Sequence, residues 1–589
     1  MSCNNLPVSS LVGKARDLRP DGKWFRDSAG RYAMFRGVNF ASRSKLPPAY
    51  LPFLPGDDAP KYLKLLKQLG INVVRLLVSW KKLAPTPIPP PSDSPSSLSA
   101  EGQQYLNSLC DVIKGLYEQD IFVLVDFHQD IAHEAYGGDG FPDWAIVVDA
   151  AHPRPTVAPK ADPAWALRLF EFPEVVEGLP FVLDMPTVLL PDGDSVDLNE
   201  LVRATFRGFW LNSTTNESGT IKTQDQLVWT IQAVAAALSS NPAILGYEPF
   251  NEPHPVGLGK KCFEERYLTP YYQTVLQRVH KVDSNAFVFC EPRVDWNSLP
   301  TEFGGEQDCP HDVYQPDFQT PIIYSLGTGP IKTFLWPTPP PIEARVVFAF
   351  HFYDPWTDAY GIAGLCDMMI NKQREWPSIF KKMMEAAQAR NMVPFLTEFG
   401  GSYSWQMLSD LGPYRIQVQT YLDLLYQEIE NNLLNSMLWV YDLHYSNEAG
   451  DGWNNERFSL LGPDQQIQPG MAPITARPYP MRSSALPKRL VFNSSTSQGA
   501  ILLDATPVSS EPTLIYVPDK FHYPGGFEVH ATGTDIHWDA DNHWLRWNLG
   551  PEGTSADHQM VICPPGKFDP RALPLEFQSA SDRLSLSRF

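Results

Sequence analysis

The sequence predicts an α/β protein: a (β/α)8 TIM barrel followed by a smaller C-terminal all-β sandwich. Three observations lead there. Eight short β-rich apolar runs recur through residues 1–475 and finish on polar residues, amphipathic helical patterns lie between most of them, and after about residue 488 the texture changes to short alternating runs broken by Gly, Pro and Asp. Near-continuous apolar strands alternating with helices are what a parallel sheet buried on both faces requires, and eight such units suggest a closed barrel.

In chain order the runs are YAMFRGVNF (32–40), INVVRLLVSW (71–80), IFVLVDFHQD (121–130), ILGYEPFNE (244–252), AFVFCEPR (286–293), RVVFAFHFYD (345–354), VPFLTEFGG (393–401) and SMLWVYDLH (436–444). KYLKLLKQLG precedes the second, QYLNSLCDVIKGLYEQ the third and PSIFKKMMEAAQAR the seventh, each with apolar residues at three- and four-residue spacing. Two connections exceed what a helix needs: 133–225, with LFEFPEVVEGLPFVLDMPTVLLPDGD, and 301–344, with PIIYSLGTGPIKTFLWPTPPP. Long apolar insertions of this kind either wall a greasy substrate or pack over the barrel. RPYP at 477–480 then leads into RLVFNSS, GAILLDA, TLIYVPD, GGFEVHATG, HWLRWNLG and HQMVICPPG, so a sandwich is expected over 476–589.

Bulk properties narrow the partners. A chain of 589 residues fits one large domain plus a smaller one, and 43% hydrophobic and 12% aromatic residues make it globular with aromatic-lined surfaces. A formal charge of -20 opposes nucleic-acid phosphates. The first 20 residues have no apolar core of signal-peptide length, and no stretch reaches the roughly 20 apolar residues of a membrane span. A soluble chain is expected, cytoplasmic by default, with vacuolar delivery or peripheral membrane contact left open. Seven scattered cysteines without a CxxC pair or a metal-ligand spacing predict reduced, structural thiols and no metal. Sequons at Asn212, Asn216 and Asn493 keep the compartment open.

In a barrel of this kind the active site is built at the C-terminal ends of the strands. YEPFNEPH places Asn251 and Glu252 after the fourth run, braced by Pro253, and VPFLTEFGG carries Glu398 near the end of the seventh. Two carboxylates brought together across a cleft suit glycoside hydrolysis: one protonates the departing oxygen while the other attacks or stabilises the anomeric carbon. Taken singly, His128 or His351 reads as a satisfied core histidine and Trp439 as core, while Arg75 balancing a buried acid is an alternative to a role in the site. Asp130 either binds sugar hydroxyls or caps the following loop. Lys45, in SRSKLPP, reads as a solvated lysine, and Glu248 and Glu291 stand near strand ends without an expected contact to substrate.

The joint pattern resembles glycoside hydrolase family 5, the cellulase-like retaining glycosidases. Arg75 in NVVRLL, His128 in DFHQD, Asn251 and Glu252 in NEP, His351 and Tyr353 in HFY, Glu398 in TEFGG and Trp439 in LWVYD each match a family active-site position, and the match spans nearly the first 470 residues. The resemblance implies Glu252 as general acid/base, Asn251 on the sugar 2-OH, and Glu398 as nucleophile held ionised by Arg75 and Tyr353. His128 and His351 would bind the sugar or orient the carboxylates, and Trp439 would lie under the glycone. A retaining mechanism predicts carboxyl groups about 5 to 5.5 Å apart.

Within the family, FHQD, YEPFNEP, TEFGG, the RPYP hinge and the terminal sandwich resemble the endoglycoceramidase-related branch, and the insertions resemble its fungal steryl-β-glucosidase and glucosylceramidase members. The implied reaction releases glucose from a glycolipid substrate and needs neither cofactor nor metal. An endo-acting glycosidase and a non-catalytic glycolipid-binding protein stand as alternatives. The sandwich could bind sugar, touch a membrane surface or simply pack on the barrel.

Overall fold

The computed structural model describes residues 6–9, 12–130, 132–154, 187–189, 195–254, 260–293, 333–353, 376–401, 415–447, 450–452, 458–533, 535–549, 556–578 and 584–589. Eight strands, Arg36–Phe40, Val73–Ser79, Phe122–His128, Ile244–Glu248, Phe287–Cys290, Val346–Phe352, Val393–Phe399 and Asn435–Leu438, pair in parallel and close into a barrel. Seven of the eight predicted runs contain one of them, and the eighth strand starts one residue ahead of its run. Every residue in these strands is buried, as a sheet covered on both faces requires.

The helices between them obey local rules. Ala59–Gln68 starts on Asp58, whose side chain accepts the Lys61 N–H, and ends at Gly70, which takes the left-handed backbone (φ 75°) that such a stop favours. Ala100–Tyr117 starts on Ser99, which accepts the Gly102 N–H. Trp376–Gln388 buries Trp376, Phe380, Met383 and Ala387 at three- and four-residue intervals.

The end of the barrel where the strands begin is closed by aromatic rings. Phe25, on the N-terminal strand Trp24–Arg26, meets Phe35, Phe287 and Phe395 edge-on at 5.4, 5.0 and 6.4 Å. That strand belongs to a seven-stranded antiparallel sheet made of Arg19–Asp21, Trp24–Arg26 and Tyr32–Ala33 together with Tyr479–Ser483, Thr513–Tyr516, Trp544–Trp547 and Ile536–Asp539. A five-stranded sheet of Ala485–Asn493, Gln498–Pro507, His558–Cys563, Glu528–Ala531 and Ser585–Arg588 completes the all-β part. The first sheet therefore draws three strands from the opposite end of the chain. These are two or three residues long, too short to stand out by alternation. The junction to the barrel is polar as well as aromatic: Tyr479 and Tyr516 donate their hydroxyls to the carbonyls of Gly70 (2.7 Å) and Gln68 (2.6 Å), and Arg477 pairs with Glu430 and Asp423.

Of the first long connection, 155–186 and 190–194 lie outside the described residues, as do 301–332 of the second. The described part of the first holds the helix Leu198–Trp210 and the hairpin of Thr214–Asn216 with Gly219–Ile221. Cys110 and Cys262 each take part in a disulfide, which corrects the expectation of reduced thiols for these two, while Cys290 and Cys563 are free and buried. Sequence spacing could not show this, because the fold decides which cysteines meet a partner. Among the described residues, no helix is long and apolar enough to cross a membrane.

Candidate active site

Parallel register delivers the polar residues at the strand ends to one mouth. Asn39 pairs with Arg75, Ser79 with His128, and His351 with Glu398. Arg75 is fully buried at the centre. It donates from Nε to Glu248 (2.5 Å), from Nη1 to Glu398 and to Asn39 Oδ1 (3.0 Å), and from Nη2 to Asn251 Oδ1 (2.7 Å), with Asp126 and Glu291 at 3.2 and 3.4 Å. Glu398 takes a second hydrogen bond from Tyr353 Oη at 2.9 Å. Both contacts expected to hold Glu398 ionised are present.

Glu252 stands just beyond the strand Ile244–Glu248 on a left-handed backbone position, φ 45°. Its N–H donates to Glu291 Oε2 (3.1 Å), and its Oε1 lies 2.9 Å from His351 Nδ1. One oxygen of Glu252, one of Glu398 and a ring nitrogen of His351 fall within 4.8 Å of one another. Carboxyl oxygens this close fit the closely apposed pair of a retaining glycosidase, whose carboxyl groups stand about 5 to 5.5 Å apart.

A second group of charges flanks this pair. His128 reaches Asp126 through Nδ1 (2.7 Å) and Asp130 through Nε2 (3.0 Å), and Asp130 also pairs with Lys45 Nζ at 2.6 Å. Lys45 is buried, with its Nζ 4.5 Å from the centre of the Trp439 ring, which lies parallel to His128 at 5.6 Å. The solvated lysine of the sequence reading is thus corrected: Asp130 and the indole face supply what water would have. Among the described residues the Asp130 side chain caps no loop and joins Lys45, His128 and Asn251 Nδ2. All nine expected site residues, Arg75, His128, Asp130, Asn251, Glu252, His351, Tyr353, Glu398 and Trp439, come together here.

The electrostatics divide the acids into two classes. Burial, reinforced by Asp130, pushes Glu252 up to about 8. Burial also raises Glu291 well above the usual carboxyl range, with Glu248 adding to it, and lifts Glu248 to about 7 against the pull of Arg75. Asp139, whose Oδ1 accepts the Asp130 N–H at 2.8 Å, rises to about 7 through burial and Asp130. For Asp130 burial is overcome by Lys45 and His128, which hold it below the ordinary range. Burial alone would lower His128, but Asp130 and Asp126 carry it to about 10, whereas burial takes His351 down to about 4. Glu248, Glu252, Glu291 and Asp139 are therefore held protonated to higher pH than an ordinary carboxyl, while Arg75, His128 and Lys45 pair with Asp126, Asp130 and Glu398. The site sets a carboxyl raised by burial, Glu252, beside one paired with a buried guanidinium, Glu398.

Asp126, Asp139 and Lys45 went unassigned or misread in the sequence. Asp126 had a signal: a charged residue inside FVLVDFH, on the same strand face as His128 two positions on. Groups of His, Cys and carboxylate close enough to hold a cation do occur among the described residues. Each already contains an ion-paired Arg or Lys: Arg75 in the two at the barrel mouth, Lys81 and Arg154 at His133, Glu134 and Asp143, and Arg588 at Glu528, His530 and Cys563.

Comparison with known proteins agrees with this geometry. Residues 36–157 and 199–444 match the family model described as cellulase, glycosyl hydrolase family 5, and residues 477–562 match the family 5 C-terminal domain. Endoglycoceramidase I of Rhodococcus hoagii is 24% identical over 88% of this chain and 83% of its own. A glucosylceramidase of Rhizopus delemar is 21% identical over 86% of this chain and 90% of its own. Among solved structures, endo-glycoceramidase II from Rhodococcus sp. in its ganglioside GM3 complex superposes with a TM-score of 0.64 at 19% identity, covering 93% of this chain and 100% of that one. Cryptococcus neoformans sterylglucosidase 1 gives 0.64 at 15% identity, over 96% and 99%. With its barrel and its terminal domain both matched, the chain belongs to glycoside hydrolase family 5.

Proposed function

We propose that this glycoside hydrolase is a retaining β-glucosidase of glucosylated membrane lipids, releasing glucose and leaving a sterol or ceramide. The observation that carries the reading is the close approach of Glu252 and Glu398, one protonated by burial and the other paired with Arg75 and Tyr353. In the first step Glu398 attacks the anomeric carbon while Glu252 gives its proton to the departing lipid oxygen. In the second, Glu252 takes a proton from water, which displaces Glu398 and restores both groups with the β configuration retained. His351 holds the Glu252 carboxyl. Arg75 orients Asn251 toward the sugar 2-OH. Lys45, Asp130, His128 and Trp439 form the polar and flat surfaces against the glucose.

The lipid aglycone is supported by the relatives named glucosylceramidase, sterylglucosidase and endoglycoceramidase. The same comparisons favour one second reading, an endo-acting enzyme that removes a whole oligosaccharide from ceramide, because the R. hoagii endoglycoceramidase matches over most of its length. Steryl β-glucoside, glucosylceramide, a lactosyl- or sialyllactosylceramide and a cello-oligosaccharide, compared in detergent micelles with Glu398→Gln as blank, separate the readings. Glucose from the monoglucosyl lipids alone supports the β-glucosidase. Intact oligosaccharide from the longer glycolipid establishes the endo reading, and cleavage of the cello-oligosaccharide alone overturns both.

A further inference from the structure

Glu291 follows the barrel strand Phe287–Cys290 and is 3% exposed. Its Oε2 accepts the backbone N–H of Glu252 at 3.1 Å and lies 3.5 Å from Nε2 of His351, whose Nδ1 is 2.9 Å from the Glu252 carboxyl. One carboxyl group thus meets Glu252 at its backbone and, through one imidazole, at its side chain. Two features call for such a brace. Glu252 holds φ 45°, a conformation that a non-glycine residue keeps only where its surroundings enforce it. The His351 Nε2 is buried with no hydrogen bond among the described residues, and Glu291 is the acid it faces.

The local charges say in what form Glu291 does this. Glu291, Glu248, Asp126 and Glu398 all crowd the guanidinium of Arg75, and a single cation cannot offset four buried anions. Of the remaining titratable neighbours His128 relieves only Asp126, at 2.7 Å, and three carboxyls still share Arg75: His351 stays neutral, and Glu252 is itself an acid held protonated. As an uncharged acid Glu291 has one O–H, for its hydrogen bond with Glu248, and one oxygen left to accept the Glu252 N–H.

We propose that Glu291 is a positioning residue for Glu252: without touching the sugar, it holds the backbone turn and the His351 ring that together aim the acid/base at the leaving oxygen. This rests on the reading of Glu252 as the acid/base. A neutral amide can do the same work, since Gln keeps both an acceptor and a donor, whereas Ala keeps neither.

The test uses the full chain and two substrates: a steryl β-glucoside, whose leaving oxygen needs a proton, and 2,4-dinitrophenyl β-glucoside, whose leaving group does not. Glu291→Ala is expected to lower kcat/KM about 100-fold on the first and less than about threefold on the second, the signature of a misplaced general acid. Glu291→Gln should stay within about tenfold of wild type on both, with the alkaline limb of its pH profile unmoved. Equal losses on the two substrates for Glu291→Ala, or no loss, overturn the proposal. So does an alkaline limb in Glu291→Gln lower by about one pH unit or more, since that would mean an anion had been removed next to Glu252. If Glu291→Ala does not fold, the limb in Glu291→Gln decides alone. A wild-type enzyme that cleaves neither glucoside overturns the acid/base reading itself, and this inference with it.

Discussion

The two ends of the barrel are made by the same strands and built on opposite principles. Val393–Phe399 carries Phe395 into the aromatic plug and Glu398 into the charged mouth, and Phe122–His128 likewise begins on an aromatic ring and ends on an imidazole. At the plugged end the rings fill space and satisfy one another. At the other end, buried carboxyls outnumber the cations available to them, and protons make up the difference. One end is arranged for stability, the other spends stability on chemistry.

Substitutions can break this contrast. The largest expected effect is Glu398→Gln, which should lower kcat by about ten-thousand-fold or more while the folded structure persists, read by activity and circular dichroism together. At the plugged end, Phe395→Ala should lower unfolding free energy by about 3 to 5 kcal/mol in urea titration with kcat per folded molecule nearly unchanged. If Phe395→Ala instead lost activity without losing stability, the two ends would not be separable as argued.

The pH dependence sharpens the comparison. Glu252 must be protonated to act as an acid, so kcat/KM should fall on the alkaline side with an apparent pKa near about 8. Because its folded-state value is raised, the stability it contributes is full below its unfolded value and lost as pH rises through about 8. Glu252→Gln should therefore raise Tm more at about pH 9 than at about pH 4, a difference that no plug substitution should reproduce. The smallest effect is expected at the junction: Gly70→Ala would place a Cβ 2.4 Å from the Tyr516 ring at φ 75°, costing about 1 to 3 kcal/mol with kcat unaltered.

What the sequence revealed follows the same division. The strands were legible because burial on both faces leaves a run such as VVRLLVS almost without polar interruption. Glu252 and Glu398 were legible because each sits at a strand end beside distinctive neighbours. Lys45 was misread because the residues that bury it are remote: Asp130 is 85 positions away in the chain, and its SRSKLPP surroundings look solvated. Asp126 and Glu248 passed unused because a charge inside an apolar run reads as a flaw until Arg75 is seen to face it. Pairing across a barrel is a property of closure, and no local window contains it.

The seven-stranded sheet has a consequence for how the molecule is made. Tyr32–Ala33 pairs with Tyr479–Ser483, so the hairpin that plugs the barrel must wait for about 450 further residues, roughly 20 to 90 seconds of synthesis at ribosomal rates. Until then the plug has an open edge, and the barrel above it has no floor held in place. A ribosome stalled before Tyr479 would release a chain with every group of the proposed catalytic site already made and the edge that anchors its base still unpaired.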